Sequence, residues 1–188
     1  MARVIRLGAV VALLCALAPA AEEAGKIMRP VEGAALEAGP VDVIATAPAG
    51  KLELDGKPLT LEQPFPSVFH GVVPAAPGAH TLALIWPDGR AQVKFFVGPN
   101  PPAGFQPFHQ HPPIEGVKCT QCHEISRRGR FRFKGGCFDC HQQDRFVKVH
   151  THDAARLAEC GMCHNAHGST AKANLLYPKE TACKLCHN

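Results

Sequence analysis

Between residues 26 and 98 the apolar positions come in short runs broken by Pro and Gly. Val41 to Ala45 is one such run. Lys51-Leu52-Glu53-Leu54-Asp55-Gly56-Lys57-Pro58-Leu59 reads as strand, tight Asp-Gly turn, strand. Thr81 to Trp86, then Pro87-Asp88-Gly89-Arg90, then Ala91 to Val97 reads as a second hairpin. Several short strands at this spacing predict a small all-β sandwich over residues 26–98. The stretch from Val97 to Gly104 is filled with Pro and Gly and has no hydrophobic period, which predicts a linker at 99–104. Beyond it, residues 105–188 are expected to form a separate domain of short helices and long loops, with little regular sheet.

A different pattern opens the chain. Arg3 and Arg6 precede an unbroken small and apolar run from Leu7 to Leu17, and Ala18-Pro19-Ala20 closes it with small residues at cleavage spacing. This predicts a cleaved signal over residues 1–20 and a periplasmic, secreted or cell-surface location. A membrane anchor is the alternative, but a span needs about 20 apolar residues and this run is shorter. No later stretch is long enough either, so no stable membrane span is expected.

Cysteine usage changes the picture most. The chain has nine cysteines. Cys15 lies in the signal and leaves with it. The other eight form four copies of Cys-x-x-Cys-His: Cys119/Cys122/His123, Cys137/Cys140/His141, Cys160/Cys163/His164 and Cys183/Cys186/His187. Two thiols three positions apart can form thioethers to the two vinyl groups of one porphyrin, and the adjacent His then lies over the iron as proximal ligand. The expectation is therefore four haem c groups. Zinc competes, because Cys119-x-x-Cys122 followed by Cys137-x-x-Cys140 approaches the spacing of a zinc ribbon. Zinc accounts for the cysteines but not for a histidine after every pair. No cysteine is left for a structural disulfide, as expected of thiols committed to haem outside the cytoplasm.

Charge divides along the chain. From Ala21 to Asn100 there are 6 Lys and Arg against 9 Asp and Glu, and from Pro101 to Asn188 there are 12 against 7. Haem propionates would offset the basic half. No helix-turn-helix, aromatic RNA platform or long basic run points to nucleic acid. The densest positive segment is Arg127-Arg128-Gly129-Arg130-Phe131-Arg132-Phe133-Lys134, with strand-like alternation from Arg130. It is read either as a docking patch for an acidic redox partner in the cell envelope or as residues that neutralise propionates while Phe131 and Phe133 pack on a porphyrin.

The cysteine-rich half is an internal repeat. His109-x-His111 precedes Cys119 as His150-x-His152 precedes Cys160, with one offset of 41 residues. Methionine as sixth iron ligand is disfavoured by count: past Met1 there are only Met28, in the other domain, and Met162, held between two motif cysteines. Histidine is plentiful, with His109, His111, His150, His152 and His167 as five distal candidates for four sites. His70 and His80 are read as ordinary strand or loop residues.

The segment Cys160-Gly161-Met162-Cys163-His164-Asn165-Ala166-His167-Gly168-Ser169, then Leu175-Leu176, then Cys183-Lys184-Leu185-Cys186-His187 resembles the doubled-CxxCH module of multihaem c-type cytochromes. That resemblance implies electron transfer by bis-histidine haems. It marks His167 as a distal ligand, together with His111 and His152, each eight residues before a first motif cysteine. The first repeat departs from the pattern, since Ser126 falls where His167 would. One distal ligand of the first pair must then come from elsewhere, with His150 favoured and His109 in reserve. Gly78-Ala79-His80-Thr81-Leu82, running into a strand, resembles the closing hairpin of immunoglobulin-like modules. The function expected is that of an electron carrier rather than an enzyme. Two alternatives are a subunit of a haem-stacked filament or other homo-oligomer, and a small reductase with one five-coordinate haem.

Overall fold

The computed structural model describes residues 25–111, 118–142 and 160–187. The predicted signal, His150 and His152 fall outside the described residues.

Nine strands occupy the first part: β1 (Lys26–Arg29), β2 (Ala34–Leu36), β3 (Val41–Thr46), β4 (Lys51–Leu54), β5 (Lys57–Leu59), β6 (Glu62–Phe65), β7 (Val68–Val73), β8 (Gly78–Trp86) and β9 (Gly89–Val97). They make a sandwich. One sheet has the order β1-β3-β7-β6 with antiparallel pairing throughout. The other contains β2, β9, β8, β4 and β5 in that order, with β2 parallel to β9. Alternation along β3 sends Val41, Val43 and Ala45 into the shared core and leaves Asp42 and Ile44 on the outer face. Leu82 and Leu84 of β8 and Phe95 and Val97 of β9 meet them there, all essentially inaccessible to water. Burying each such large side chain contributes roughly 1.5–3 kcal/mol, which makes this core the source of the module's stability.

Both predicted hairpins form where their turn residues place them. Asp55 (φ 51°) and Gly56 (φ 75°) give the β4–β5 turn the two positive φ values that match the twist of paired strands. Pro87 and Asp88 join β8 to β9 with Trp86 opposite Gly89, Pro presetting the first turn residue.

The predicted linker does not end the sheet. After it, β10 (Gln106–Pro107) adds to β2 in parallel, and the Phe108 N–H donates to the Ala35 carbonyl at 2.9 Å. The six-stranded sheet therefore runs past the expected boundary at residue 105, because β2 is short and leaves an edge that the returning chain satisfies. β11 (His109–Gln110) follows at once and pairs with β14 (Gly168–Ser169), so the chain passes from the sandwich directly into contact with the last repeat.

A β-bulge sets up the meeting of the two halves. β1 pairs in step with β3 through Ile27 and Ala45, then slips so that Arg29 lies opposite Ile44. Without the slip Arg29 would fall opposite Val43 and face the core. A slip of one residue reverses the face a side chain occupies. Arg29 thus joins Ile44, Asp42 and His70 on the outer face of the four-stranded sheet.

Among the described residues after β11, regular structure is sparse. They hold α1 (Cys119–Cys122), β12 (His123–Ile125), β13 (Phe131–Phe133), α2 (Cys137–Cys140), two 3-10 turns at Cys160–Met162 and Lys172–Asn174, and α3 (Lys179–Lys184). Among the described residues every buried hydrophobic side chain lies between Ile27 and Val97.

Candidate functional site

Each Cys-x-x-Cys-His motif is built on a single helical turn. The motif histidine N–H donates to the carbonyl of the first cysteine in all four, at 2.9 Å for His141 and His164 and 3.0 Å for His187. Positions i and i+3 share one face of such a turn, so the two thiols of each motif project together. The first three motifs also approach one another. Burial pushes the Cys137 thiol up, with Cys160 next to it adding to the shift through its charge and a hydrogen bond. Burial likewise raises Cys122, reinforced by Cys140 and Asp139. Among the described residues no group of three or more His, Cys, Asp or Glu converges as ligands for a lone metal ion.

Two pairs of imidazoles lie with their ring planes nearly parallel. The rings of His123 and His167 are nearly parallel, 9° apart, with centroids separated by 5.9 Å. Those of His111 and His141 are 13° apart at 5.8 Å. Rings in face contact would approach to about 3.5–4 Å. One metal ion held between two imidazole nitrogens at about 2 Å each, with a ring radius of about 1.2 Å at each side, would set ring centres about 6.4 Å apart. Both pairs lie a few tenths of an ångström inside that separation.

The second ring nitrogens are arranged to match. His111 Nδ1 bonds to the Ala166 carbonyl at 3.2 Å and His164 Nδ1 to the Ala173 carbonyl at 2.8 Å. Such bonds fix the tautomer and leave Nε2 with its lone pair free to ligate. Ala173 reaches His164 because it adopts φ 58° in the turn at Lys172–Asn174. His123 Nδ1 is buried with no hydrogen-bond partner. Burial lowers the His123 pKa; the nearby Arg132 carbonyl opposes the shift without offering a bond of good geometry. His167 is held down to about 4, mainly by burial, then by the charges of Arg29, His123 and Lys26, with Asp42 opposing. Its imidazole is therefore neutral at pH 7, the form a metal ion needs.

The loop that carries His167 explains its His-Gly-Ser sequence. Gly168 has φ +114°, and a Cβ there would lie 2.5 Å from Phe108 Cζ and 2.7 Å from the His109 carbonyl oxygen. Only glycine lets β14 lie this close to β11. Ser169 Oγ donates to the Leu175 carbonyl at 2.6 Å and accepts from the Ala171 N–H at 2.9 Å, which closes the loop. The His167 N–H donates to Asn165 Oδ1 at 3.0 Å.

Rings from both halves pack around His123. Phe131 lies against it with centroids 4.6 Å apart and Phe133 meets it edge-on at 5.8 Å. Phe65 of β6 meets Phe131 at a 44° tilt, with centroids 4.7 Å apart. Beyond this cluster β12 and β13 extend as a hairpin whose tip exposes Arg127, Arg128 and Arg130, with Arg132 paired to Glu124. Apolar side chains beside the motifs, including Phe138, Met162, Leu176 and Leu185, lie 40–62 % exposed, as suits surface that a porphyrin would cover.

Set against the sequence, one pairing differs in kind. His167 belongs to the second repeat but lies opposite His123 of the first. His111 lies opposite His141, the second motif of its own repeat. His109 sits in β11 opposite Ser169. His150 and His152 lie outside the described residues. His80 bonds to Asp55 and the Ala76 carbonyl, both at 2.7 Å, and takes a structural role in the sandwich. His70 bonds to Asp42 at 3.0 Å. Arg29, Asp42 and Phe65 were not legible along the chain, for a lone charge and a lone ring in short strands carry no spacing signature.

The family model for the doubled CXXCH motif matches residues 152–188, which contain the third and fourth motifs. This part of the chain is a c-type cytochrome-like haem-binding region, and the motif points to covalently bound haem c. No curated protein matches the chain. Among solved structures the sandwich is similar to the fibronectin(III)-like modules of Clostridium thermocellum CbhA, at 22% identity and a TM-score of 0.31, covering 40% of this chain and 96% of that one. It is also similar to a chimeric titin Z1Z2 tandem, at 12% identity and a TM-score of 0.26, covering 39% of this chain and 46% of the other.

Proposed function

We propose that the chain is an exported electron carrier holding four haem c groups, with His123, His141, His164 and His187 as proximal ligands and all irons closed by a second histidine. The observation that carries this reading is the pair of parallel imidazoles at 5.8 and 5.9 Å, one motif histidine in each. His167 is then the distal partner of His123, and His111 that of His141. His150, His152 and His109 remain for the third and fourth sites.

Bound haem supplies reversible one-electron exchange at its iron. The protein's own groups make that exchange simple. Two histidines per iron leave no position for substrate, so the carrier reading needs no general acid or base. The carbonyls of Ala166 and Ala173 hold His111 and His164 in the ligating tautomer. Phe65, Phe131 and Phe133 keep water from His123. Histidine rather than methionine at the sixth position keeps potentials low. The exposed Arg127, Arg128 and Arg130 lie at the end of the hairpin that begins with His123, where they favour an acidic redox partner of the cell envelope. Residues 1–20 direct export and are removed.

Intact mass and the visible spectrum of protein matured in a cytochrome c-producing host test this reading. Cleavage after Ala20, four covalent haems and a low-spin spectrum are expected. Free thiols with bound zinc, or a count below four, would overturn it.

A further inference from the structure

Arg29 is 5% exposed, although it stands on the outer face of the four-stranded sheet. Its guanidinium joins three separate segments. Nε donates to the His167 carbonyl at 2.7 Å, Nη2 donates to the His111 carbonyl at 2.6 Å, and Nη1 donates to the Asp42 carboxylate. The other Asp42 oxygen meets His70 Nε2 at 3.0 Å. A guanidinium is a rigid planar fork, so bonds from its separate nitrogens fix the accepting carbonyls relative to one another as well as to the sheet. Those two carbonyls belong to the residues whose rings face His123 and His141.

We propose that Arg29 is a positioning residue for two haem sites at once: through the His111 and His167 carbonyls it sets the ring planes of both distal ligands and makes the β-sandwich part of the haem-binding unit. The proposal rests on the bis-histidine reading above. Three features support it independently of that reading. The bulge in β1 turns Arg29 out of the core and onto the face that meets the two loops. Asp42 and His70 occupy the same face on neighbouring strands and hold the fork in place. The Ala166 carbonyl, one residue before His167, takes His111 Nδ1, so the two distal segments are coupled and Arg29 grips the couple from the sheet side.

The test uses the full haem-loaded chain as wild type, as Arg29→Lys, and as Arg29→Met with Asp42→Asn, which avoids leaving the half-buried Asp42 carboxylate without its guanidinium. Low-temperature electron paramagnetic resonance of the oxidised protein reads the angle between axial imidazole planes. In wild type, two ferric signals with the form of near-parallel planes are expected; their absence would defeat the pairing of His167 with His123 and of His111 with His141 on which the proposal rests. In both variants those two signals should be lost or displaced while the other two remain, and the covalent haem count should not change, because attachment depends on cysteine. Wild-type signals with either variant unchanged would overturn the role of Arg29 alone. Should the double variant fail to accumulate, Arg29→Lys decides, since it keeps the charge beside Asp42 but cannot span both carbonyls.

Discussion

Gly168→Ala is the smallest change that should separate the last repeat from the sandwich. The added methyl would sit 2.5 Å from Phe108 Cζ, 3.1 Å from Phe108 Cε1 and 2.7 Å from the His109 carbonyl oxygen. Overpacking of this kind costs about 1–3 kcal/mol. The backbone at φ +114° adds about 1–3 kcal/mol for any residue with a Cβ. Together the change should destabilise the holoprotein by roughly 2–6 kcal/mol. Denaturant unfolding followed by far-ultraviolet circular dichroism measures it, at matched haem content. Phe108→Ala should not restore stability, because the backbone carbonyl of His109 remains in the way. A Gly168→Ala protein within about 0.5 kcal/mol of wild type, the range of an ordinary surface substitution, would refute the close approach of β11 and β14.

Ser169→Ala removes a buried hydroxyl that both donates and accepts, and should cost about 1–3 kcal/mol by the same unfolding assay. For His80, burial lowers the pKa, but the hydrogen bond and charge of Asp55 and the Ala76 carbonyl outweigh it and raise it above 6.5; Asp55, though burial opposes, is lowered below 3.8 by Thr81 and His80. A raised histidine contributes stability below its unfolded pKa and loses it as pH rises through the folded value, while a lowered aspartate loses its share on acidification. His80→Gln should therefore lower the melting temperature more at pH 5.5 than at pH 8.5, and an equal or reversed difference in thermal scans counts against the pair. His167→Met should raise one haem potential and leave the others in place, as read by spectroelectrochemical titration. Replacing Arg127, Arg128 and Arg130 with Gln should slow electron exchange with an acidic partner about tenfold or more at low ionic strength, and stopped-flow rates should converge at high salt.

The sequence was most legible where chemistry or turn geometry demands particular residue types. Asp55-Gly56 and Pro87-Asp88-Gly89 marked both hairpins because those turns restrict backbone angles. The strands β1, β2 and β6 left little signal: each is three or four residues long, and Pro64 interrupts the last. β7 was obscured by His70 and Gly71 within its apolar run. The same limit applied to the ligands. The resemblance to doubled-CxxCH modules marked His111 and His167, but not which motif histidine each lies beside, because that depends on β11 pairing with β14. A bulge between Ile27 and Arg29 decides the face that Arg29 occupies, and no residue in the segment announces it.

Quantified low-temperature electron paramagnetic resonance of the oxidised wild-type protein bears most directly on the carrier reading. If every iron is closed by two histidines, the spins integrate to four low-spin ferric haems with no high-spin component. A high-spin signal amounting to one haem per chain would contradict that reading and leave one iron open to an external ligand.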